Sequence, residues 1–248
     1  MHKKLFVANH KMQLSFHQEI DFVTTNLERI STLACHPEVE FVLCPTFTEL
    51  YAIILSASDT RLHIGAQNVS SFASGAHTGQ VSATSLAEIG CTFCIIGHSD
   101  TRTYETNEDI AKKCEQLFSQ SIIPIICIGE PQEVYAKEQT LAFLEQQLKP
   151  VFQTIEQAAA EQEYVIAYEP IWAIGSGNIP TSEYLSRIFS HLHTLCASFP
   201  QSFRLLYGGS VNPENVAEIL KISHINGALI GNASLHIDLL EAIINEEI

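Results

Sequence analysis

The sequence predicts an α/β fold, a single closed (β/α)8 barrel over residues 1–248. Eight short apolar, β-rich runs recur with longer helical stretches between them. Most of these runs are continuously apolar, which is the pattern of strands buried on both faces of a parallel sheet. Eight such units in 248 residues average 31 residues each, the size of one βα unit. No Pro/Ser-rich linker or charge shift divides the chain. The first run ends in Ala8-Asn9-His10-Lys11, without the G-x-G-x-x-G turn that an open doubly wound sheet places there.

The elements are read in order. Strand 1 is the run 5–8. Ser15 with Gln18 makes a capping box, each side chain taking the other residue's free backbone N–H, and opens a helix over 16–32. Strand 2 is 41–44, and Thr46 with Glu49 starts the next helix in the same way. Strand 3 is 62–66, followed by a helix start at Ser85 with Glu88. Strands 4 and 5 are 93–96 and 122–128, followed by helices over 108–119 and 133–161. Strand 6, 164–168, leads to a helix over 181–199, and strand 7 is 203–207. Asn212-Pro213 reads as an N-cap with proline at the first helical position. Strand 8 is 228–230, and a last helix covers 234–245.

Composition bounds what such a barrel does. A chain of this length buries about 70–75% of its unfolded surface and needs no disulfide or metal to hold it. The net charge of −15, with no Lys/Arg cluster beyond Lys3-Lys4 and Lys112-Lys113, argues against nucleic acid as a partner. It does not exclude a small anion, because a local site can be positive on a negative protein. The seven cysteines are odd in number and mostly set among apolar neighbours, so a secreted disulfide framework is not expected. Cys91-Thr-Phe-Cys94 reads as a buried, reduced pair. The eleven histidines form no ligand set at metal spacing, so no metal is implied. Residues 5–8 are too short for a signal-peptide core, and no run approaches a membrane span; a cytoplasmic protein with no membrane partner is expected.

Active sites of (β/α)8 barrels lie at the C-terminal ends of the strands. Those ends carry Asn9, His10 and Lys11 after strand 1, Gln67 and Asn68 after strand 3, and His98 and Ser99 after strand 4. Glu130 follows strand 5 and Glu169 follows strand 6. Glu169 reads equally well as a partly desolvated base able to take a proton from carbon or as a capping acid. His98 can polarise a carbonyl or bond to backbone, and Lys11 can stabilise an oxyanion or pair with one of the 28 acids. Gly208-Gly209-Ser210 and Gly231-Asn232 follow strands 7 and 8, where such barrels often hold phosphate on backbone N–H groups. Together they point to a phosphorylated ligand. The segment 170–180 is long for a βα loop, apolar in the middle, and carries the only Trp. Its glycines and flanking prolines suit a lid that closes over a site and expels water.

The strings Asn9-x-Lys11-Met12, Ile96-Gly97-His98-Ser99, Cys127-Ile128-Gly129-Glu130 and Ala167-Tyr168-Glu169-Pro170-x-Trp172-Ala173-Ile174-Gly175-x-Gly177 resemble the triosephosphate isomerase family. So do Tyr207-Gly208-Gly209-Ser210-Val211 and Gly227-Ala228-Leu229-x-Gly231, all in family order from residue 9 to about 235. The resemblance implies the TIM barrel and an aldose–ketose isomerase that works without a cofactor. That family is itself a standard worked case of a glutamate base, a neutral histidine and lid closure. Carried over, it implies that Glu169 removes the proton beside the carbonyl and that His98 serves the two oxygens of an enediolate. Lys11 and Asn9 would support the oxyanion, and the backbone around Gly175, Ser210, Gly231 and Asn232 would hold the phosphate. It also implies a homodimer in which the loop from Gly75 to Gln80 reaches the partner's site and Thr78 touches Asn9 and Lys11 there.

The chain departs from the family pattern in four places. His10 stands where Trp is usual, and Asp100-Thr101 where Glu-Arg is usual. Gln80 replaces an acid, and the stretch 102–111 is a couple of residues short. These departures bear on rate and dimer strength; Asn9, Lys11, His98 and Glu169 are all present. A different phosphate-binding barrel would explain the two glycine turns but not the string around Glu169. A non-catalytic, partner-binding barrel would be favoured by a missing catalytic residue, and none is missing.

Overall fold

The computed structural model describes residues 3–173 and 179–245. Eight parallel strands close into a barrel in sequence order: β1 Lys4–Asn9, β2 Val39–Cys44, β3 His63–Ala66, β4 Phe93–Ile96, β5 Ile123–Ile128, β6 Glu163–Tyr168, β7 Ser202–Tyr207 and β8 Gly227–Ile230. Each strand run expected from the sequence is present, with ends shifted by one or two residues. β8 closes on β1 in parallel, Leu5 opposite Gly227 and Ala8 opposite Ile230.

Side chains alternate in and out along every strand. Leu5 and Val7 of β1, Ile95 of β4, Cys127 of β5, Ala167 of β6 and Leu229 of β8 belong to the cluster that fills the barrel. Phe6, Ala8, Ile96, Ile128, Tyr168 and Ile230 belong to the larger core between sheet and helices. This period of two extends past the strand ends and decides which rim residues look inward. Asn9 and Glu169 continue the inward set, whereas His10 and Glu130 continue the outward one.

Five helical expectations are corrected. The helix expected over 16–32 is two helices, Phe16–Thr25 and Leu27–Cys35. Between them the Asn26 amide donates to the Phe22 carbonyl at 2.7 Å, the side-chain competition that makes Asn a helix breaker. The helix expected over 133–161 is Gln132–Tyr135 and Thr140–Gln157, separated by a turn in which Glu138 adopts φ +57°. The helix Ala83–Ile89 begins one residue after Ser82, not at Ser85. Ser82 Oγ accepts from Ser85 N–H at 3.1 Å, taking the free donor one turn earlier than expected. Gly231 leads into a short 3-10 turn, Asn232–Leu235, and the last α-helix is Ile237–Asn245. Ser15 does cap Phe16–Thr25, its N–H bonding Gln18 Oε1 at 2.9 Å. The helix expected to open at Asn212-Pro213 instead begins at Val216, with Asn215 at the N-cap, and Asn212 and Asn215 exchange N–H to Oδ1 bonds at 2.9 and 3.0 Å in the turn before it. Cys91 and Cys94 are buried free thiols, and burial pushes Cys91 up to about 12. No described helix is long and apolar enough to cross a membrane.

Candidate active site

A cavity of about 500 Å³ opens at the C-terminal mouth of the barrel. Asn9, Lys11, His98, Glu169, Ser210, Gly231 and Asn232 all line it. These are seven of the eight candidates read from the sequence. The eighth, Gly175, lies outside the described residues, together with the rest of 174–178.

Glu169 is buried and held from both ends. Its N–H donates to Ile128 O at 2.7 Å, and its carboxylate reaches His98 Nε2 at 3.0 Å and Ser99 N–H at 3.3 Å. His98 sits one residue out of phase with the inward set of β4. It enters the cavity because Gly97, at φ +66°, turns the chain. A Cβ on Gly97 would lie 2.9 Å from Ile110 Cδ1, so the position is closed to larger residues as well as strained for them. The Asp100 N–H donates to His98 Nδ1 at 3.1 Å. That ring nitrogen is therefore the acceptor, and the proton of the neutral imidazole sits on Nε2, aimed at Glu169.

Lys11 occupies the left-handed region at φ +53°, an uncommon conformation for a side chain of its length. Three bonds enforce it. The Asn9 side-chain oxygen accepts the Lys11 N–H at 3.0 Å, and Gln67 Nε2 donates to the carbonyls of Lys11 and Cys44 at 2.8 and 3.0 Å. The ammonium meets Asp100 at 3.2 Å, so the shorter carboxylate still reaches it. Sequence reasoning placed Gln67 on the rim without a role; its work is to hold Lys11. Thr101, at the second departure, donates to His98 O at 3.1 Å and Glu105 at 3.2 Å. Arg102 turns to Asn107 Oδ1 at 2.8 Å and Cys127 O at 2.7 Å; its partners are an amide and a backbone carbonyl.

The glycines of the rim are set by close approach. A Cβ on Gly208 would stand 2.8 Å from Glu169 Cγ, and one on Gly209 would collide with the Tyr207 phenol. Gly208→Ala is expected to push the Glu169 side chain aside and lower kcat about 10-fold with the melting temperature little changed. Steady-state kinetics beside a thermal melt checks this, and an unchanged kcat would show that the glutamate has room to spare. Ser210 donates to Ala173 O at 3.1 Å, which ties the turn after β7 to the loop after β6. Asn232 opens a turn of only four residues, so helix-dipole support for an anion there is smaller than an α-helix would supply.

Glu130 faces outward and anchors the start of that same loop. It is fully buried and accepts from Trp172 Nε1 at 2.8 Å, Tyr184 OH at 3.0 Å and Tyr168 OH at 3.0 and 3.1 Å. Trp172 lies in the 3-10 turn Ile171–Ala173 and stacks on Tyr135, ring centres 4.1 Å apart. Burial pushes the Glu130 carboxyl up, against these donors. An acid held above its unfolded value binds its proton more tightly when folded. Its contribution to stability is thus full below about pH 4.3 and is lost as pH rises through the folded value. The stability advantage of the wild-type chain over Glu130→Gln is accordingly expected to shrink between pH 4 and pH 7. Urea unfolding at both pH values measures it; a constant difference would contradict the shift.

Two further residues escaped the sequence reading. Gln147 clamps Gly129, accepting its N–H at 2.9 Å and donating to its carbonyl at 3.2 Å, directly beneath Glu169. Glu19 is fully buried on the helix Phe16–Thr25 and bonds His10. A carboxylate four residues before Val23, on the helix's buried face, was the available signal for Glu19.

The comparisons with known proteins agree with this geometry. A family model described as triosephosphate isomerase matches residues 4–247. The triosephosphate isomerase of Dictyoglomus thermophilum is 38% identical over 244 residues, covering 95% of this chain and 96% of the relative. That of Thermus thermophilus is 37% identical over 212 residues, covering 83% and 84%. A crystal structure of triosephosphate isomerase from Bartonella henselae superposes with a TM-score of 0.87 at 29% identity, covering 99% of each chain.

Proposed function

Because the chain belongs to the triosephosphate isomerase family, we propose that Glu169, His98, Lys11 and Asn9 are the groups by which it interconverts dihydroxyacetone phosphate and D-glyceraldehyde 3-phosphate, a step of glycolysis and gluconeogenesis. One observation carries the assignment of roles: a buried carboxylate and a neutral imidazole meet at 3.0 Å inside a cavity that also holds an ammonium. Glu169 takes the proton from the carbon beside the carbonyl, leaving its bonds to His98 and Ser99 as substrate enters. His98 donates its Nε2 proton to the carbonyl oxygen and, as a neutral donor, can move that proton between the two oxygens of the enediolate. Lys11 balances the oxyanion, and Asn9 keeps it there by accepting its backbone N–H. The turns at Ser210, Gly231 and Asn232 hold the phosphate, with Gly175 completing that set. Keeping water out of the cavity protects the enediolate, which otherwise loses phosphate.

The working unit in this reading is a cytoplasmic homodimer of one-domain barrels. The loop 75–80 stands out from the barrel, with Gly75 at φ +125° and Gly79 at φ +88°. Beside it a cavity of about 370 Å³ is lined by Phe47, Phe72, Tyr104 and the buried pair Lys113–Glu105. Tyr104, 71% exposed, lines that cavity with Phe47 and Phe72, and exposed apolar groups gathered beside one loop are typical of an interface. Gln80 accepts from Ser70 Oγ at 2.5 Å and so closes the loop on itself in place of an acid. Sedimentation equilibrium is expected to find a dimer, and Phe72→Glu to shift it to monomer with activity reduced at least 10-fold. A fully active monomer would remove the dimer from the reading.

The deciding experiment is isomerisation of D-glyceraldehyde 3-phosphate by the purified chain, with Glu169→Ala beside it. Turnover that vanishes in the variant supports reaction and base together. Absence of turnover in the wild type overturns both.

A further inference from the structure

From the geometry behind the rim we infer that His10 and Glu19 form a buried positioning pair, which sets the Asn9–Lys11 turn from the rear and thereby the place of the Lys11 ammonium. This role rests on the isomerase reading and assigns it two residues that never touch substrate.

His10 lies between the two rim residues and, like them, lines the cavity, but its ring turns back toward the helix Phe16–Thr25. Its backbone extends the pairing of β1 with β2, its N–H donating to Cys44 O at 3.2 Å. Its ring is fully buried, edge-on to Phe22 with centres 5.2 Å apart. Nδ1 meets Glu19 Oε1 at 2.6 Å. The other Glu19 oxygen accepts from Thr46 N–H at 3.2 Å and lies 3.0 Å from Thr46 Oγ1, whose hydroxyl also bonds Glu49. A carboxylate that already accepts the Thr46 N–H is the acceptor toward His10 as well, so the shared proton is placed on Nδ1. Glu19 therefore joins the end of β1, the helix Phe16–Thr25 and the first turn of the helix Phe47–Ser56.

The far ring nitrogen argues that this bond, not packing, explains the histidine. Nε2 is buried with no hydrogen-bond partner. An apolar ring would fill the same space without leaving a polar atom unpaired, a cost that the Nδ1–Glu19 bond offsets. In front of His10, the left-handed Lys11 backbone depends on Asn9 and Gln67, and Gln67 also bonds Cys44 O, the carbonyl that receives the His10 N–H. A strained backbone persists only where its surroundings over-determine it. Here the front bonds hold Lys11 to β2 and β3, and the His10–Glu19 pair holds the same turn to the helices. The Lys11 stem in turn lies 3.8 Å from where a Gly231 Cβ would be, so a shift of the turn moves the ammonium relative to the phosphate-binding turn.

The test uses His10→Phe, His10→Asn and Glu19→Gln in the full chain. Asparagine can place a donor near the Nδ1 position; phenylalanine cannot. His10→Phe is expected to raise KM for D-glyceraldehyde 3-phosphate and the inhibition constant of inorganic phosphate each by about 10-fold, with kcat changed less. His10→Asn should restore both constants to within about 3-fold of wild type. A purely structural role would lower the melting temperature and leave the KM of the folded enzyme unchanged. Unchanged KM and phosphate inhibition in folded His10→Phe, or His10→Asn no better than His10→Phe, overturns the inference. If His10→Phe does not fold, the isosteric Glu19→Gln carries the same comparison. If the wild type shows no isomerisation, the functional reading fails. Phosphate dissociation constants of wild type and variant from calorimetry then decide the positioning role, equal constants overturning it.

Discussion

Glu169→Asp is expected to lower kcat by about 10²–10⁴-fold while KM changes less than about 3-fold. The substitution retains the acid and withdraws it by one methylene. In the parent the carboxylate is held within 3.0 Å of His98 Nε2 by a backbone whose N–H is locked to Ile128 O at 2.7 Å. The strand end cannot follow the shortened side chain, so the base stops short of the carbon proton. Proton transfer from carbon then loses most of what a positioned base contributes. Lys11 and the turns after β7 and β8, which the proposed reading assigns to substrate binding, line the same cavity and are left alone by the change, so KM is expected to stay near its parent value. Steady-state kinetics on the purified variant checks this. Equal turnover would remove Glu169 from the role of base, and a large rise in KM would mean the carboxylate acts in binding instead.

Gly129→Ala is expected to cost at least about 3 kcal/mol of stability and to abolish activity in whatever still folds. A Cβ built there falls 1.7 Å from the Glu169 carbonyl oxygen and 2.7 Å from its carbon. Both are backbone atoms, and no rotamer change can relieve them. β5 and β6 would have to part where Glu169 N–H meets Ile128 O and where Gln147 clamps Gly129 from behind. The fold and the proposed base, Glu169, are therefore damaged by the same displacement. Gly79→Ala is the control. Its backbone sits at φ +88° with nothing within 4 Å of a new Cβ, so only dihedral strain of about 1–2 kcal/mol is incurred. Urea unfolding of the pair separates collision from strain, and a Gly129→Ala loss no larger than that of Gly79→Ala would refute the account.

Much of this molecule is legible in its sequence because the signals are local. A strand buried on both faces must be apolar throughout, so each strand announces itself by composition. Closure in sequence order then carries the strand ends, and with them Asn9, Lys11, His98 and Glu169, to one rim. Carried one or two residues past the strands, the same alternation separates inward Asn9 and Glu169 from outward His10 and Glu130. The helix breaks at Asn26 and Glu138 were less legible, because apolar periodicity runs through them while a side-chain bond or a left-handed residue interrupts the backbone.

The sequence by itself determined the fold class, the order of the strands and which polar residues stand at the strand ends, since each depends on residue type at short spacing. Only the tertiary structure decided how those groups are held. Gln67 on Lys11, Gln147 on Gly129, Asp100 N–H on His98 Nδ1 and Glu19 on His10 are bonds whose partners are chosen by how the chain packs. Only the first joins residues from different strand–helix connections; the other three form within one connection, yet nothing in the residue types alone names their partners. A polar side chain in a sequence carries donors and acceptors but no direction; direction comes from the packed neighbours that leave it one place to go.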